Sequence, residues 1–341
     1  MAAGWPAEPG ERLTRHGGHN RLLRRTPAPH ECVRQSTSDA IAIIERACRR
    51  RRGECRHLTS RMVSSLPENP LADAVIRDLR SHDVQTNSIQ RREGRVGLYF
   101  LETGAVQRPS RITYDRAGSS FVETPAATYD WLTLLEDADW LHISGITPAT
   151  GPDAAGAALA AARTAVAQGV NVSFDGNYRE QLWKSWSGNG PEILAQLLEH
   201  ATLAFINELD VQLVFGEKYP GREDAEKTAF ARFPRLKYVA STLREQVGAS
   251  HHRLTGRLAT RDGTWHSPVM DLPGIVDRIG GGDAYAAGIL HGLISRDTPQ
   301  KTVNFATAAA AIKHSVAGDY NRTSVGEVEI LLTQTDLDVR R

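Results

Sequence analysis

The sequence has little cysteine, few aromatic residues and no long apolar run. Only three of its 341 residues are cysteine, which excludes a disulfide-stapled scaffold and is typical of a reducing compartment. No stretch approaches the ~20 apolar residues that a membrane span needs, so a transmembrane protein is excluded. The net charge of +1 predicts no general attraction to nucleic acid or to membranes. We therefore expect a cytoplasmic protein without nucleic-acid or membrane partners.

The first 62 residues differ from the remainder in charge and pattern. They hold 13 arginines, six acidic residues, no lysine and all three cysteines. One interpretation is an arm that binds nucleic acid, because clustered arginines neutralise phosphates. A second is a targeting segment, although six acidic residues are unusual for one. A third is a metal site, but Cys32, Cys48, Cys55 and His57 lack the spacing of zinc ligands.

From residue 63 onward, short apolar segments alternate with helical ones. The predicted strands are 96–101, 111–114, 140–144, 170–174, 202–206 and 236–241, with a hairpin between 252 and 268. The predicted helices are 70–82, 153–168, 190–200, 283–295, 299–316 and 324–333. This alternation predicts an α/β fold, a doubly wound and mostly parallel sheet with helices on both faces. Ligands bind such sheets beyond the carboxyl ends of the strands, so functional residues are expected where strands stop.

The strongest motif is the segment 277–288, DRIGGGDAYAAG. Its glycines, Gly280, Gly281 and Gly282, let backbone N–H groups approach a ligand closely. The start of the following helix adds about half a positive charge, so the segment predicts a cradle for a phosphate. Asp283 comes next, and we expect it to stay ionised and to accept a proton from an attacking hydroxyl. The alternative is a glycine-rich helix start with an acidic first turn.

This segment resembles the C-terminal signature D-T-x-G-A-G-D of the pfkB sugar kinases, the ribokinase-like family. The form found here is similar to that of the 2-keto-3-deoxygluconate kinases. The resemblance covers roughly 63–330 and implies a ribokinase-like fold with a small β lid at about 94–116. Residues 331–341 are expected to form a tail after this domain. It also implies that Gly280, Gly281 and Gly282 form an anion hole and that Asp283 is the catalytic base.

Two further segments resemble the sugar-binding parts of this family. The stretch 97–120 is similar to the lid and offers Tyr99, Tyr114 and Arg116. FDGNYREQLW, at 174–183, is similar to the Asn-Tyr-Arg segment and points to Arg179. The planar arginine fork binds carboxylates, which favours a sugar acid. The alternative for each arginine is an ion pair at the surface.

The resemblance also implies ATP and Mg²⁺ as cofactors. The expected ATP contacts are Asn207, Ser241, Thr242, Thr307 and Ala310. Asp210 stands where the family has a glutamate near the magnesium, and we expect it to act through water. The helix that carries Thr307 is equally well explained as a core helix. A monovalent cation is a further candidate cofactor.

The activity implied is ATP-dependent phosphorylation of 2-dehydro-3-deoxy-D-gluconate to its 6-phosphate. A fructokinase-like or ribokinase-like activity is one alternative, and a damaged or sugar-binding remnant is another. The family's first strand and sugar-gripping glycines are not found in 1–62. We therefore hypothesise that 1–62 is an out-of-frame or misassigned translation that replaces the first strands. A homodimer that pairs through the lid is a further hypothesis.

Overall fold

The computed structural model describes residues 32–35, 41–46, 58–104 and 108–333. Most of the predicted N-terminal segment lies outside these residues, including Cys48, Cys55 and His57, as do 334–341 of the predicted tail. The strands are β1 (Cys32–Gln35), β2 (Ile41–Arg46), β3 (Leu58–Leu66), β4 (Val84–Gln85), β5 (Ile89–Arg91), β6 (Leu98–Glu102), β7 (Arg111–Asp115), β8 (Trp140–Ser144), β9 (Asn171–Asp175), β10 (Leu203–Phe205), β11 (Tyr238–Gly248), β12 (His251–Thr260), β13 (Thr264–His266) and β14 (Met270–Pro273). The helices are α1 (Pro70–Ser81), α2 (Trp131–Leu134), α3 (Ile146–Ala149), α4 (Pro152–Ala167), α5 (Glu180–Lys184), α6 (Gly190–His200), α7 (Glu208–Phe215), α8 (Arg222–Arg232), α9 (Gly281–Ile294), α10 (Pro299–Lys313) and α11 (Val325–Thr333).

Four parallel strands, β8, β9, β10 and β11, form the centre of an 11-stranded sheet. They are the apolar segments predicted as strands at 140–144, 170–174, 202–206 and 236–241. Strands β2 and β12 pair antiparallel at the two sides of this centre, so the whole sheet is mixed. Strand β2 falls in the segment for which the sequence predicted no element of its own.

Helices cover both faces of the sheet, as predicted. One row of cross-strand neighbours consists of Ile143, Phe174, Ala204 and Val239. These side chains are buried against the face that carries α4, α6 and α8. Because side chains alternate along a strand, Leu203 and its neighbours face the other side, where they pack against α9 and α10. Apolar residues on both faces explain why the strands read as continuous apolar runs.

The predicted helix after residue 69 illustrates how local signals set an element. Helix α1 begins at Pro70, and the side chain of Asn69 accepts a hydrogen bond from the N–H of Ala72 at 2.9 Å. Proline is favoured at this first position, since its missing N–H would have no partner there. The predicted N-cap and start of α1 are therefore confirmed.

A second, smaller sheet corresponds to the predicted lid. Strands β1, β6 and β7 form it with antiparallel pairing, and Tyr99 lies directly opposite Tyr114 in the register. Residues 105–107, between β6 and β7, lie outside the described residues. Directly opposed residues share a face, so the lid presents the two tyrosines together. Among the helices of the described residues, none is both long and apolar enough to cross a membrane.

Candidate active site

Three consecutive glycines span the junction between the loop 277–280 and the first turn of α9, and each is glycine for a different reason. Gly280 has a φ of 78°, in the left-handed region, and a Cβ on it would overlap the backbone oxygen of Asp319. A Cβ on Gly281 would lie 2.9 Å from the ring of His314. A Cβ on Gly282 would meet nothing within 4 Å. The first two glycines are required by the protein itself, whereas the third keeps a volume open.

That open volume lies at the amino end of α9. The N–H of Ala284 donates to the carbonyl of Gly280 at 2.9 Å and closes the first turn. The N–H groups of Gly282 and Asp283 precede this bond and have no intrahelical acceptor, as at every helix start. Such groups, together with the helix dipole, attract an anion. The geometry therefore fits the predicted anion hole.

Asp277 fixes the loop from the side. Its carboxylate accepts hydrogen bonds from the N–H groups of Ile279 and Gly318, each at 3.0 Å. The N–H of Asp277 itself donates to the carbonyl of His314 at 3.2 Å. These contacts join the loop before α9 to the segment that follows α10, so the position of each segment depends on the other.

Asp283 lies in the first turn of α9 and borders a cavity of about 740 Å³. Solvent reaches its side chain, but the surrounding protein weakens its hydration. This desolvation and the carboxylate of Asp319 raise the pKa of Asp283, while Arg179 and Lys313 oppose the rise. The expectation that the helix end alone sets its ionisation was incomplete, because it left out this carboxylate. A raised pKa suits a group that must accept a proton.

Other carboxylates gather near Asp283. Burial, Asp283 and Asp210 raise the pKa of Asp175 to about 7, and burial raises the pKa of Asp210. Arg179 acts on all three in the opposite direction. Like charges at one place disfavour ionisation, so the site holds excess negative charge that a cation would relieve. Within the described residues, no three His, Cys, Asp or Glu side chains form a complete metal site.

The predicted sugar-binding residues line the same cavity as Asp283: Tyr99, Tyr114, Arg116 and Arg179. The residue Arg116 is 5% exposed, and the Cζ of its guanidinium lies 5.2 Å from the centre of the Tyr114 ring. The hydroxyl of Tyr99 donates to the carboxylate of Asp319. Two of the three glycines, Gly280 and Gly282, also line the cavity. Segments far apart in the sequence thus converge on one site.

Several lining residues escaped the sequence analysis. Ser144 and Asp175 end β8 and β9, and Asn177 donates to the Ser144 hydroxyl at 3.3 Å. Asp319 also lines the cavity and follows α10, the helix from which the sequence analysis named only Thr307 and Ala310. A usable signal existed for Ser144 and Asp175, since both occupy the carboxyl ends of parallel strands. Asp319 carried no pattern that distinguished it from a surface acid.

The predicted ATP and magnesium residues lie outside the lining of this cavity. Asn207 caps α7, because its side chain accepts from the N–H groups of Leu209 and Asp210 at 2.7 and 3.3 Å. The carboxylate of Asp210 accepts from the N–H of Asn207 at 2.9 Å. The pair forms a capping box, which accounts for both residue types in structural terms. Their roles toward a ligand stay predictions.

Ser241 and Thr242 lie in β11, where the parallel centre of the sheet ends. The hydroxyl of Ser241 accepts from Arg222 at 3.3 Å, and Arg222 also pairs with Glu208 at 2.8 Å. Thr242 is half-buried opposite Gly256 of β12. The position at a strand end agrees with a ligand contact, and the assignment stays a prediction.

Thr307 and Ala310 face the core of the domain. Their exposed fractions are 0% and 1%. The Thr307 hydroxyl donates to the carbonyl of Val303 at 2.8 Å and lies where a Cβ on Gly256 would be. The described structure thus matches the alternative of a core helix, and a nucleotide reaches these two side chains only if this packing opens.

Comparison with known proteins shows which family the chain resembles. The sequence profile described as pfkB family carbohydrate kinase matches residues 56–324. A 2-dehydro-3-deoxygalactonokinase from Haloferax volcanii is 29% identical over 280 residues, which cover 82% of this chain and 83% of that protein. A 2-dehydro-3-deoxygluconokinase from Escherichia coli K12 is 25% identical over 68% of this chain and 73% of that protein.

A solved structure gives the same result. The crystal structure of 2-dehydro-3-deoxygluconokinase from Thermotoga maritima is 34% identical, with a TM-score of 0.75, and the match covers 80% of this chain and 85% of that one. This likeness confirms the predicted ribokinase-like α/β fold. Because the family profile spans most of the chain, the protein belongs to the pfkB family of carbohydrate kinases, enzymes that transfer a phosphoryl group to an alcohol group of a sugar.

Proposed function

We propose that the protein phosphorylates the terminal hydroxyl of 2-dehydro-3-deoxy-D-gluconate with ATP and forms the 6-phosphate. One observation carries this proposal: a single cavity joins Asp283, at the start of α9, to the two arginines Arg116 and Arg179. Phosphoryl transfer needs a proton acceptor beside an anion cradle. A sugar acid also needs cations for its carboxylate, which the arginines supply.

The arginines and tyrosines define how the sugar acid lies. The buried guanidinium of Arg116 over the Tyr114 ring is shielded from water, which strengthens an ion pair with a carboxylate. Tyr99 and Asp319 meet in the same cavity and offer a hydroxyl and a carboxylate to sugar hydroxyls. We assign the acid end to Arg116 and Arg179 and the hydroxyls to the two tyrosines and Asp319.

The start of α9 holds the phosphoryl group in this proposal. The open space beside Gly282 supports it, since any side chain there would occupy the volume of the phosphate. Asn207 follows β10, Ser241 and Thr242 lie in β11 just after its parallel pairing with β10 ends, and we assign all three to the nucleotide. Their positions at strand ends support the assignment.

Mg²⁺ accompanies the nucleotide. Asp175 and Asp210 supply the oxygen ligands that Mg²⁺ prefers, and their raised pKa values indicate a place where a cation relieves repulsion. One oxygen of Asp210 already accepts the N–H of Asn207, so we assign contact through water. When bound, Mg²⁺ supplies neutralisation of charge on the phosphoryl oxygens.

Asp283 acts as the proton acceptor. The sugar hydroxyl oxygen forms a bond to the γ-phosphorus, and the bond from that phosphorus to the β,γ-bridging oxygen breaks, so ADP leaves. The hydroxyl proton passes to the Asp283 carboxylate. The free N–H groups of Gly282 and Asp283 stabilise the charge on the transferring group.

The Haloferax volcanii relative supports a second candidate, the corresponding acid of galactonate. The two acids share the carboxylate and the terminal hydroxyl and differ in the configuration of one hydroxyl between them. Residues that bind the shared ends, such as Arg116 and Asp283, do not distinguish them. The choice therefore depends on contacts to the middle of the sugar.

A substrate panel tests the proposal. Purified protein is given ATP, Mg²⁺ and one of four sugars: the 2-dehydro-3-deoxy acids of gluconate and galactonate, fructose or ribose. ADP release is followed by a coupled assay. We expect turnover with the gluconate-derived acid, and kcat/KM lower by at least about tenfold for the neutral sugars. Arg116→Met should raise KM for the acid by about 10–100-fold, the loss of a desolvated ion pair.

The outcomes separate the candidates. Preference for the galactonate-derived acid selects the second candidate. Turnover of fructose or ribose by the wild-type protein, together with an unchanged KM for the acid in the Arg116→Met variant, would mean that the arginine does not bind a carboxylate. Sugar binding without ADP release would identify a non-catalytic relative.

A further inference from the structure

Lys313 is a buried cation that the mechanism above does not use. It is the last residue of α10, and its exposed fraction is 0%. Burial of an ammonium group is costly unless oxygen atoms surround it. A lysine in this position therefore needs a structural or electrostatic explanation.

Lys313 contacts the loop before α9, residues 277–280, which we call the anion loop. Its ammonium donates to the carbonyl of Val316 at 3.0 Å, and the N–H of Val316 donates back to the carbonyl of Lys313 at 3.0 Å. Its Cε lies 3.1 Å from the position that a Cβ on Gly280 would take. The lysine stem thus packs on the left-handed glycine, while its head holds the turn that leads to Asp319.

The same position is favourable for a cation. The carbonyl ends of α10 place partial negative charge around the last turn. The charge of Lys313 opposes the rise in the pKa of Asp283 and contributes to the lowered pKa of His314. The other charged groups on the segments that surround it are Asp277 and Arg278 before α9, Asp319 after α10, and Arg179 from the cavity.

We propose that Lys313 is a positioning residue for phosphoryl transfer, a fixed internal cation that holds the 316–319 turn against the anion loop and keeps Asp283 ready to accept a proton. The inference rests on the proposed role of Asp283 as the acceptor. Lys313 itself touches no substrate, since it does not line the cavity.

The test measures the titration of Asp283 directly. The protein is labelled with ¹³C at aspartate carboxyls, and the Asp283 signal is assigned with the Asp283→Asn variant. Lys313→Met removes both charge and hydrogen bond, whereas Lys313→Gln keeps a donor and removes only the charge. We expect the midpoint for Asp283 to rise by about one pH unit in both variants. Lys301→Met is the control, because Lys301 lies on the same helix but forms an exposed pair with Asp297.

Activity supplies a second reading. With any accepted sugar, the acid limb of the kcat/KM profile should move to higher pH in both Lys313 variants, and kcat should fall while KM changes little. An unmoved Asp283 midpoint in a folded Lys313→Met or Lys313→Gln protein overturns the proposal. The titration needs no turnover, so it separates this proposal from a failure of the proposed sugar specificity.

A third measurement, the protonation state of Lys313 in the wild-type protein, does not depend on any variant. The ammonium of Lys313, followed by ¹⁵N resonance, should stay protonated across the pH range of activity. A neutral Lys313 at pH 7 contradicts the proposal even if both variants fail to fold.

Discussion

At the scale of single residues, aspartates that look alike in the sequence have different contacts and different roles in the structure. Asp175, Asp210, Asp283 and Asp319 are all aspartates near strand or helix ends. Asp210 has one oxygen committed to a helix cap, and Asp319 accepts from Tyr99. Asp283 alone stands at the start of α9 beside the open volume of Gly282. Position relative to free N–H groups, and not residue type, is the reason for proposing Asp283 as the proton acceptor.

Replacement of Asp283 by alanine tests this selection. Removal of a general base costs about 10²–10⁴-fold in rate, so we expect kcat to fall by that factor. Nucleotide affinity should change by less than about threefold, because the N–H groups of α9 remain. Steady-state kinetics and calorimetric titration with ATP measure the two effects. Asp262→Ala, at an exposed turn, is the control, and retained turnover in Asp283→Ala would remove Asp283 from the mechanism.

At the scale of elements, two glycines at the start of α9 are expected to serve different purposes. Gly280 is needed for the backbone conformation, and Gly282 for ligand space. Gly280→Ala places a Cβ at a φ of 78° and against the backbone oxygen of Asp319. Left-handed backbone alone costs a non-glycine residue about 1–3 kcal/mol, so we expect a lower Tm.

Gly282→Ala should act on the ligand instead. Its Cβ enters open space, so Tm should change little, while the added methyl reduces kcat/KM about tenfold or more by filling the phosphate volume. Thermal melts and kinetics on the two variants give the comparison. Equal loss of stability in both variants would contradict the distinction between these glycines.

The elements that could be predicted are those with a local signal. The strands at 140–144 and 202–206 were predicted from short apolar runs, and α1 from its cap. Strand β11 extends to Gly248, well past its apolar part, because its exposed residues Leu243–Val247 pair with β12 through backbone hydrogen bonds. Backbone pairing leaves no pattern in side chains, so this half of the hairpin was missed.

The candidate site could be predicted only in part, for a related reason. The glycine loop and Arg179 belong to long motifs and were found. Asp319 is a single acid, and its importance arises from the hydrogen bond with Tyr99, a residue 220 positions away. Tertiary contacts of this kind have no local signature. Thr307 shows the opposite case, in which a local pattern is present but does not identify a role. A small polar residue in an alanine-rich helix can pack in the core as readily as it can contact a ligand.

For the whole molecule, the site is where separate parts of the chain are held together. The lid contributes Tyr99 and Arg116, β9 contributes Asp175, and the segments around α9 and α10 contribute Asp283 and Asp319. The lid reaches the body through the Tyr99–Asp319 hydrogen bond. The carboxylates that gather there repel one another, so binding chemistry is obtained at the expense of folding stability.

The repulsion between these carboxylates makes the free energy of unfolding depend on pH, and the direction of that dependence can be measured. The pKa of Asp175 is raised from 3.8 to about 7, so the folded state keeps a proton that the unfolded state loses, and stability falls as pH rises from about 4 to 7. Asp175→Asn removes this loss. We expect it to gain about 1–2 kcal/mol in the free energy of unfolding at pH 8, after allowance for solvent in the cavity, and nothing at pH 4. Urea denaturation at both pH values, with Asp262→Asn as control, provides the measurement. An equal gain at pH 4 and pH 8 would show that packing of the amide, not relief of charge, causes the effect.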